Sequence, residues 1–186
     1  MSRILIVYSS HYGQTCVIAN RIAQRLRETN AHEVEVADAG PGWKQVPRPD
    51  AYDAVIVGSR VELGRHAAAV IAYLKEHRDA LERRLTAVFS VSMSASTPGA
   101  GRDPQGYLSK LFAELGWTPS ESTALAGALP YRKYGWFLRR VLKQISKRAG
   151  HTTDTSRDHV FTDDAAVTAF ADRIAARLVE LGRAHA

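Results

Sequence analysis

The sequence predicts an α/β fold: a doubly wound, five-stranded parallel sheet with helices on both faces. Three observations carry that expectation. Short, almost wholly apolar runs recur at residues 3–8, 53–58 and 85–91, and strands covered on both faces read as such runs. Stretches of helical spacing separate them, which implies parallel pairing through right-handed crossovers. The chain has 186 residues, 45% hydrophobic and 24% charged, which suits one domain around one core.

The elements follow in order. Residues 3–8 (RILIVY) form the first strand, and residues 9–15 a polar turn containing glycine. Val17, Ile18, Ile22 and Leu26, with Ala19 and Ala23 between them, predict a helix running to Glu28. Residues 33–37 alternate and read as the second strand; residues 40–49, rich in Pro and Gly, read as a loop. Residues 53–58 (DAVIVG) are the third strand, and residues 65–81 a helix with Ala69, Ile71, Leu74 and Leu81 at apolar positions. Residues 85–91 (LTAVFSV) are the fourth strand, followed by a small-residue loop over 92–102. A helix spans 104–115, with Pro104 in its first turn, where the missing N–H costs nothing. Residues 122–129 are the fifth strand, and 160–161 a further short piece. The terminal helix spans 163–182, with Asp163 as N-cap and Gly182 at its end.

Composition excludes several classes. A collagen-like, coiled-coil or wholly disordered chain would not have this balance. One cysteine cannot build an internal disulfide framework and suggests a reducing compartment. No apolar run approaches the roughly 20 residues that span a bilayer. The N-terminus shows no secretory pattern, since its first apolar run reads as a buried strand.

Charge is uneven. The net charge is +6, yet residues 122–153 contain no acid and seven bases: Arg132, Lys133, Arg139, Arg140, Lys143, Lys147 and Arg148. The rest of the chain is close to neutral. This basic block interrupts the last strand–helix unit as an insertion over residues 130–157, and insertions of that length in compact domains serve function or are disordered. On a helical wheel from Trp136 to Ala149, the apolar Phe137, Leu138, Val141, Leu142, Ile145 and Ala149 fall at roughly 100 to 240°, and Arg139, Arg140, Lys143 and Lys147 on the opposite side, with Arg148 at the edge of the apolar face. Tyr131, Tyr134 and Trp136 stand near its start. A basic amphipathic helix with aromatics is the pattern of a segment lying in a membrane interface. A helix packed on the protein's own core, with a solvated basic face, is the alternative. No nucleic-acid partner is expected, since the helix has no base-reading Asn or Gln beyond Gln144 and its aromatics form no evident stacking platform.

In an open parallel sheet, ligands bind beyond the carboxyl ends of the strands. The loop after the first strand reads Ser9-Ser10-His11-Tyr12-Gly13-Gln14-Thr15. It is neither G-x-G-x-x-G nor G-x-x-x-x-G-K-[ST]. Hydroxyls and one Gly leading into a helix can bind a phosphate through side chains, amides and the helix dipole. The alternative is a plain turn capped by Ser10.

With Ser10, Gly13 and Thr15 in that order, the loop resembles the phosphate loop of the flavodoxin family. Gly58-Ser59 and Ser90-Val91-Ser92 resemble the family's two loops that flank the isoalloxazine ring. The resemblance implies a strand order of 2-1-3-4-5 and a bound flavin mononucleotide (FMN). It assigns Ser9 to Thr15, then Gly58, Ser59, Arg60, Val61, Leu63 and Gly64, and Ser90, Val91, Ser92 and Met93, to the cofactor. The usual ring-stacking aromatics are absent from residues 59–65 and 92–97, so Val61, Leu63 or Met93 is the expected apolar cover. Electron-carrier flavodoxins are acidic; this chain is basic, which favours a flavin enzyme over a one-electron shuttle.

A sharper resemblance lies in the insertion. Ala126-Gly127-Ala128-Leu129, Tyr131, Tyr134, Trp136, Arg139, Lys143 and Ile145, followed by Thr153-Asp154-Thr155 and Phe161-Thr162-Asp163, resemble the menaquinone-dependent protoporphyrinogen oxidases. The likeness runs from the first strand to the terminal helix. It implies FMN-dependent oxidation of protoporphyrinogen IX to protoporphyrin IX, with electrons passing to menaquinone or a related quinone; the alternatives are a soluble flavodoxin-like NAD(P)H:quinone reductase and a non-enzymatic flavodoxin-like module that docks on a membrane or partner. It also implies a cytoplasmic protein peripherally associated with an anionic membrane surface. Tyr131, Arg132, Lys133, Trp136, Phe137, Arg139, Arg140 and Lys143 are the candidates for substrate or membrane contact. Glu62-Leu63-Gly64-Arg65-His66 departs from the family's Arg-Tyr-Gly-His pattern, with Glu62 in place of the Arg. No catalytic acid or base is assigned. His66 at a helix start and Cys16 after the phosphate loop read as structural.

Overall fold

The computed structural model describes residues 1–40, 42–96, 103–129, 159–160 and 162–184. Five parallel strands form its sheet: β1 (Arg3–Ser9), β2 (Glu33–Asp38), β3 (Ala54–Glu62), β5 (Leu85–Ser92) and β6 (Glu121–Ala126). Their order is β2-β1-β3-β5-β6, with the short β4 (Arg65–His66) antiparallel to the end of β3. Counted over the parallel strands alone, this is the expected order 2-1-3-4-5.

Alternate residues of each strand feed two cores. Ile4, Ile6, Ile56 and Phe89 face α1 (Gln14–Asn30) and the terminal helix α5 (Asp164–Ala184), where they meet Ile18, Ile22, Leu26, Phe170 and Ile174. Leu5, Val7, Val55, Val57 and Val88 face α2 (Ala68–Glu76), α3 (Arg78–Glu82) and α4 (Pro104–Leu115), with Val70, Leu74, Leu81, Leu108 and Leu111. Each fully buried side chain of this kind contributes about 1.5 to 3 kcal/mol. Ion pairs dock α5 outside the core: Arg25 with Asp172 at 2.7 Å, Arg21 with Asp164, and Arg173 and Arg177 with Glu121 on β6.

Four local expectations are corrected. Residues 65–81 are not one helix. Leu63 and Gly64 both take positive φ, 51° and 78°, the requirement of a type I′ turn, and this hairpin turns Arg65 and His66 back onto Glu62 and Val61. The helix then starts at Ala68 and breaks at His77 between α2 and α3. Residues 122–129 are not one strand either: β6 ends at Ala126, and β7 (Ala128–Leu129) pairs antiparallel with β8 (His159–Val160). Gly127 is the corner, with its N–H on the Ser92 carbonyl. Gly182 does not end the terminal helix, which continues to Ala184, whereas the Asp163 carboxylate does accept the Ala165 N–H as a cap. Val17 points outward, 43% exposed. The expected helix over 136–149 and Phe161 lie outside the described residues.

Candidate functional site

A row of serines crosses the carboxyl ends of three strands. Ser9 stands opposite Ser59, and Ser59 opposite Ser90; all three are buried. Alternation puts them on one face with Val7, Val57 and Val88. Ser59 Oγ accepts the Ala67 N–H at 3.1 Å and donates to the Arg60 carbonyl at 3.0 Å. Ser9 Oγ accepts from Arg60 Nη1 at 2.9 Å. Ser90 Oγ is buried without a partner among the described residues.

Beyond this row the chain turns from β1 into α1. Gly13, at φ 96°, is the residue before the helix and provides no side-chain cap. Its N–H donates to Ser10 Oγ at 3.0 Å, and its carbonyl accepts the Val17 N–H at 3.0 Å. Ser10 thus orders the loop from within and keeps its own proton to donate. The amides of the first turn, from Gln14, are left open by helix geometry, and no acidic side chain stands among them. Amides, two hydroxyls and the positive end of the helix dipole make an anion cradle. Thr15 is 2% exposed, so its hydroxyl is held by packing.

A chain of polar side chains crosses from this loop to β3. His11 Nδ1 lies 3.0 Å from Glu62 Oε1, Arg60 Nε donates to Glu62 Oε2 at 3.0 Å, and Arg60 reaches Ser9. The Tyr12 ring stacks on His11 at 4.2 Å between centroids. Burial, the largest single influence, pushes the Glu62 carboxyl up, but the bonds from Arg60 and His11 together outweigh it and hold it below its ordinary value.

These groups border a depression of ≈150 Å³. Ser10, His11, Tyr12, Gln14 and Thr15 line it from the loop, Arg60, Val61 and Glu62 from β3, and Val91, Ser92 and Met93 from the end of β5, with Gly127 completing the wall. A Cβ on Gly127 would stand 3.4 Å from Val91 Cγ1. Gln14 Nε2 donates to Thr162 Oγ1 at 2.7 Å, and Thr162 donates to the Ala126 carbonyl at 2.8 Å. The loop is thereby tied to both ends of the insertion. A wider cavity, of ≈1000 Å³, lies at the other end of the sheet near Ser2, Asp53 and Leu85.

Most of the residues assigned from sequence converge here, but some do not. Gly58 and Ser59 lie inside β3, and Ser90, Val91 and Ser92 inside β5, rather than in loops after those strands; Gly58 and Ser59 do not line the depression. Ser9 and Ser90 lie in the buried row beneath. Leu63, fully exposed at the hairpin tip, and Gly64 project away as turn residues. Glu62 and Gly127 were not assigned and do line it; Glu62 was visible only as a departure from a family pattern. His66 is structural: it sits on β4, buried, with Nε2 3.2 Å from the Tyr107 carbonyl. Cys16 bonds Asn20 within α1. Tyr131, Arg132, Lys133, Trp136, Phe137, Arg139, Arg140 and Lys143 lie outside the described residues.

A 2-1-3-4-5 parallel sheet with a serine- and threonine-bearing loop leading from its first strand into a helix is the layout of a flavodoxin-type protein. The family model described as Flavodoxin domain matches residues 5–156. The chain belongs to this family and, within it, to the quinone-type protoporphyrinogen IX dehydrogenases. It is 33% identical over 182 residues to the protein named protoporphyrinogen IX dehydrogenase (quinone) of Escherichia coli strain K12, covering 93% of this chain and 94% of the relative. A Leishmania major protein of the same name is 32% identical over 175 residues, covering 94% of this chain and 75% of the relative. Among solved structures, the rubredoxin oxygen:oxidoreductase of Desulfovibrio gigas superposes with a TM-score of 0.56 at 15% identity, over 96% of this chain and 36% of that one. That likeness concerns the fold alone.

Proposed function

We propose that this chain oxidises protoporphyrinogen IX to protoporphyrin IX with bound FMN and passes the electrons to a quinone. One observation carries the reading: the similarity to the dehydrogenase of that name extends over 93% of the chain, insertion included. The cradle after β1 supports the cofactor, because its open amides and its Ser10 and Thr15 hydroxyls are the donors a phosphate monoester needs. When bound, the flavin supplies the hydride-accepting chemistry.

The chain's own residues place and surround it. Ser10, Thr15 and the first amides of α1 hold the phosphate. The ends of β3 and β5, through Arg60, Val61, Ser92 and Met93, border the ring. Arg60 and Glu62 balance one another, so the rim is nearly neutral and does not oppose a reduced, anionic cofactor as an acidic rim would. No side-chain nucleophile is required.

The insertion supports a membrane location for the acceptor. Its acid-free run with seven bases suits an anionic surface at roughly 1 kcal/mol per basic side chain near lipid, and a quinone partitions into that lipid. No helix among the described residues is long and apolar enough to cross a membrane. Menaquinone as the acceptor, and peripheral attachment to the cytoplasmic face of the cell membrane, complete the proposal.

An anaerobic assay tests it. Flavin-loaded protein receives protoporphyrinogen IX and a menaquinone analogue, and porphyrin fluorescence is followed. Signal that needs both flavin and quinone is expected. A flat trace from protein with intact flavin would remove the substrate assignment and leave the fold and cofactor standing.

A further inference from the structure

A second depression, of ≈620 Å³, opens beside the first. Ser10, His11 and Arg60 line both, so the His11–Glu62–Arg60 chain is the partition between them. Its volume falls in the range of small-molecule sites, about 300 to 1,000 Å³.

The two sides of this depression differ in chemistry. The partition side offers a guanidinium and the hydroxyls of Ser9 and Ser10. The far side is apolar: the Trp43 indole and the methyl groups of Ala69 and Ala72 on α2. Arg60 spends Nε on Glu62 and Nη1 on Ser9, while Nη2 has no hydrogen-bond partner among the described residues. No carboxylate lines this depression; Glu62 faces only the first. The first turn of α2 carries neither an acidic side chain nor a side-chain cap, which keeps the local potential positive. A cation with a spare donor edge, facing an apolar bowl with a flat aromatic wall, suits a planar apolar molecule bearing a carboxylate.

We infer that this second depression binds a propionate-bearing edge of the tetrapyrrole, with Arg60 Nη2 on the carboxylate and Trp43 against the ring. The inference rests on the function proposed above. It makes Arg60 the shared post of two sites: one face borders the cofactor depression, and the other anchors the substrate beside it. The propionate edge is then anchored on one side of the partition, and the rest of the macrocycle reaches over it to the cofactor depression, where hydride transfer requires contact.

The test is an equilibrium titration of the FMN-loaded full chain with mesoporphyrin IX, which cannot be oxidised further to product, and with its dimethyl ester. Ala72→Trp fills the bowl and Trp43→Ala removes its wall; neither residue lines the cofactor depression. The dicarboxylate is expected to bind about tenfold tighter than the ester, and Ala72→Trp to weaken it about tenfold. FMN affinity, read by flavin fluorescence, should be unchanged in that variant. Equal affinity for acid and ester, or porphyrin binding indifferent to both substitutions, overturns the inference. Failure of the wild-type chain to bind FMN would instead overturn the proposed function, while porphyrin binding is still read separately.

Discussion

Phe89 packs edge-on beneath Gly58 on the neighbouring strand, so closely that a Cβ on residue 58 would stand 2.1 Å from the ring's Cζ. The two residues are register partners of β3 and β5, and Phe89 in turn meets Phe170 of α5 edge to face at 6.2 Å. The glycine therefore serves the core on the α5 face rather than the ligand. Gly58→Ala should destabilise the fold by about 1 to 3 kcal/mol through overpacking, measured by denaturant unfolding. The double variant with Phe89→Leu should recover part of the loss. A Gly58→Ala protein as stable as wild type would mean that the ring is not held where the structure has it.

Gly13 tests the backbone of the cradle by itself. A Cβ there meets nothing within 4 Å, but φ is 96°. The cost of Gly13→Ala is then conformational, of the order of 1 to 2 kcal/mol. The loop should relax toward negative φ and lose the Gly13 N–H bond to Ser10 Oγ. FMN affinity should fall about tenfold with only a modest change in melting temperature. Unchanged affinity would detach the loop from the cofactor.

Much of this was legible in sequence. Buried parallel strands advertise themselves as apolar runs, so β1, β3 and β5 were recognised from residues 3–8, 53–58 and 85–91. The hydroxyl-rich loop reads as donor-rich in the sequence because its residue types are themselves the donors, and the structure sets Ser10 and Thr15 on the wall of one depression. What stayed hidden depended on partners distant in the chain. Gly58 looked like a loop glycine because Phe89, its reason for being glycine, lies 31 residues further on. The β3–β4 hairpin leaves no turn signal in the sequence because Leu63, not Asn or Asp, takes the first left-handed position of its turn. Glu62 read as an odd substitution because its partners, Arg60 and His11, come together only after β1 and β3 pair.

Thr162 links the residues flanking the insertion to the start of α1 after the β1 loop. It accepts from Gln14 and donates to the Ala126 carbonyl. Thr162→Val keeps the shape and removes both bonds, leaving polar groups unpaired at about 1 to 3 kcal/mol. Chemical denaturation should show that loss. FMN binding should weaken several-fold although Thr162 does not line the depression. Thr162→Ser should restore both properties; rescue failing in Ser would separate the effect from the hydroxyl.

Charge reversal of Arg139, Arg140 and Lys143 together tests the proposed membrane contact. Binding to vesicles containing phosphatidylserine should be lost, and wild-type binding should fall steeply with added salt, since surface attraction is screened within about 10 Å at 0.1 M. The flavin spectrum should not change. Vesicle binding that survives the reversal would remove the interfacial helix.

His66 gives the fold a pH dependence with a defined sign. Burial, its largest influence, pulls the imidazole below its ordinary value, against smaller upward pulls from the Tyr107 carbonyl and Glu114. Nε2 lies against the Tyr107 carbonyl, while Nδ1 is buried without a partner among the described residues, so the folded protein holds the ring neutral with its proton on Nε2. A depressed base binds its proton more readily in the unfolded chain. Stability is therefore unaffected well above the unfolded value, about 6.5, and declines as pH falls below it until the folded value is reached. His66→Gln removes this proton-linked loss. Wild type and His66→Gln, unfolded in urea between pH 8 and 5, should show a stability difference that shifts in favour of the variant as pH drops. Parallel curves for the two proteins across that range would mean that His66 titrates alike in the folded and unfolded states.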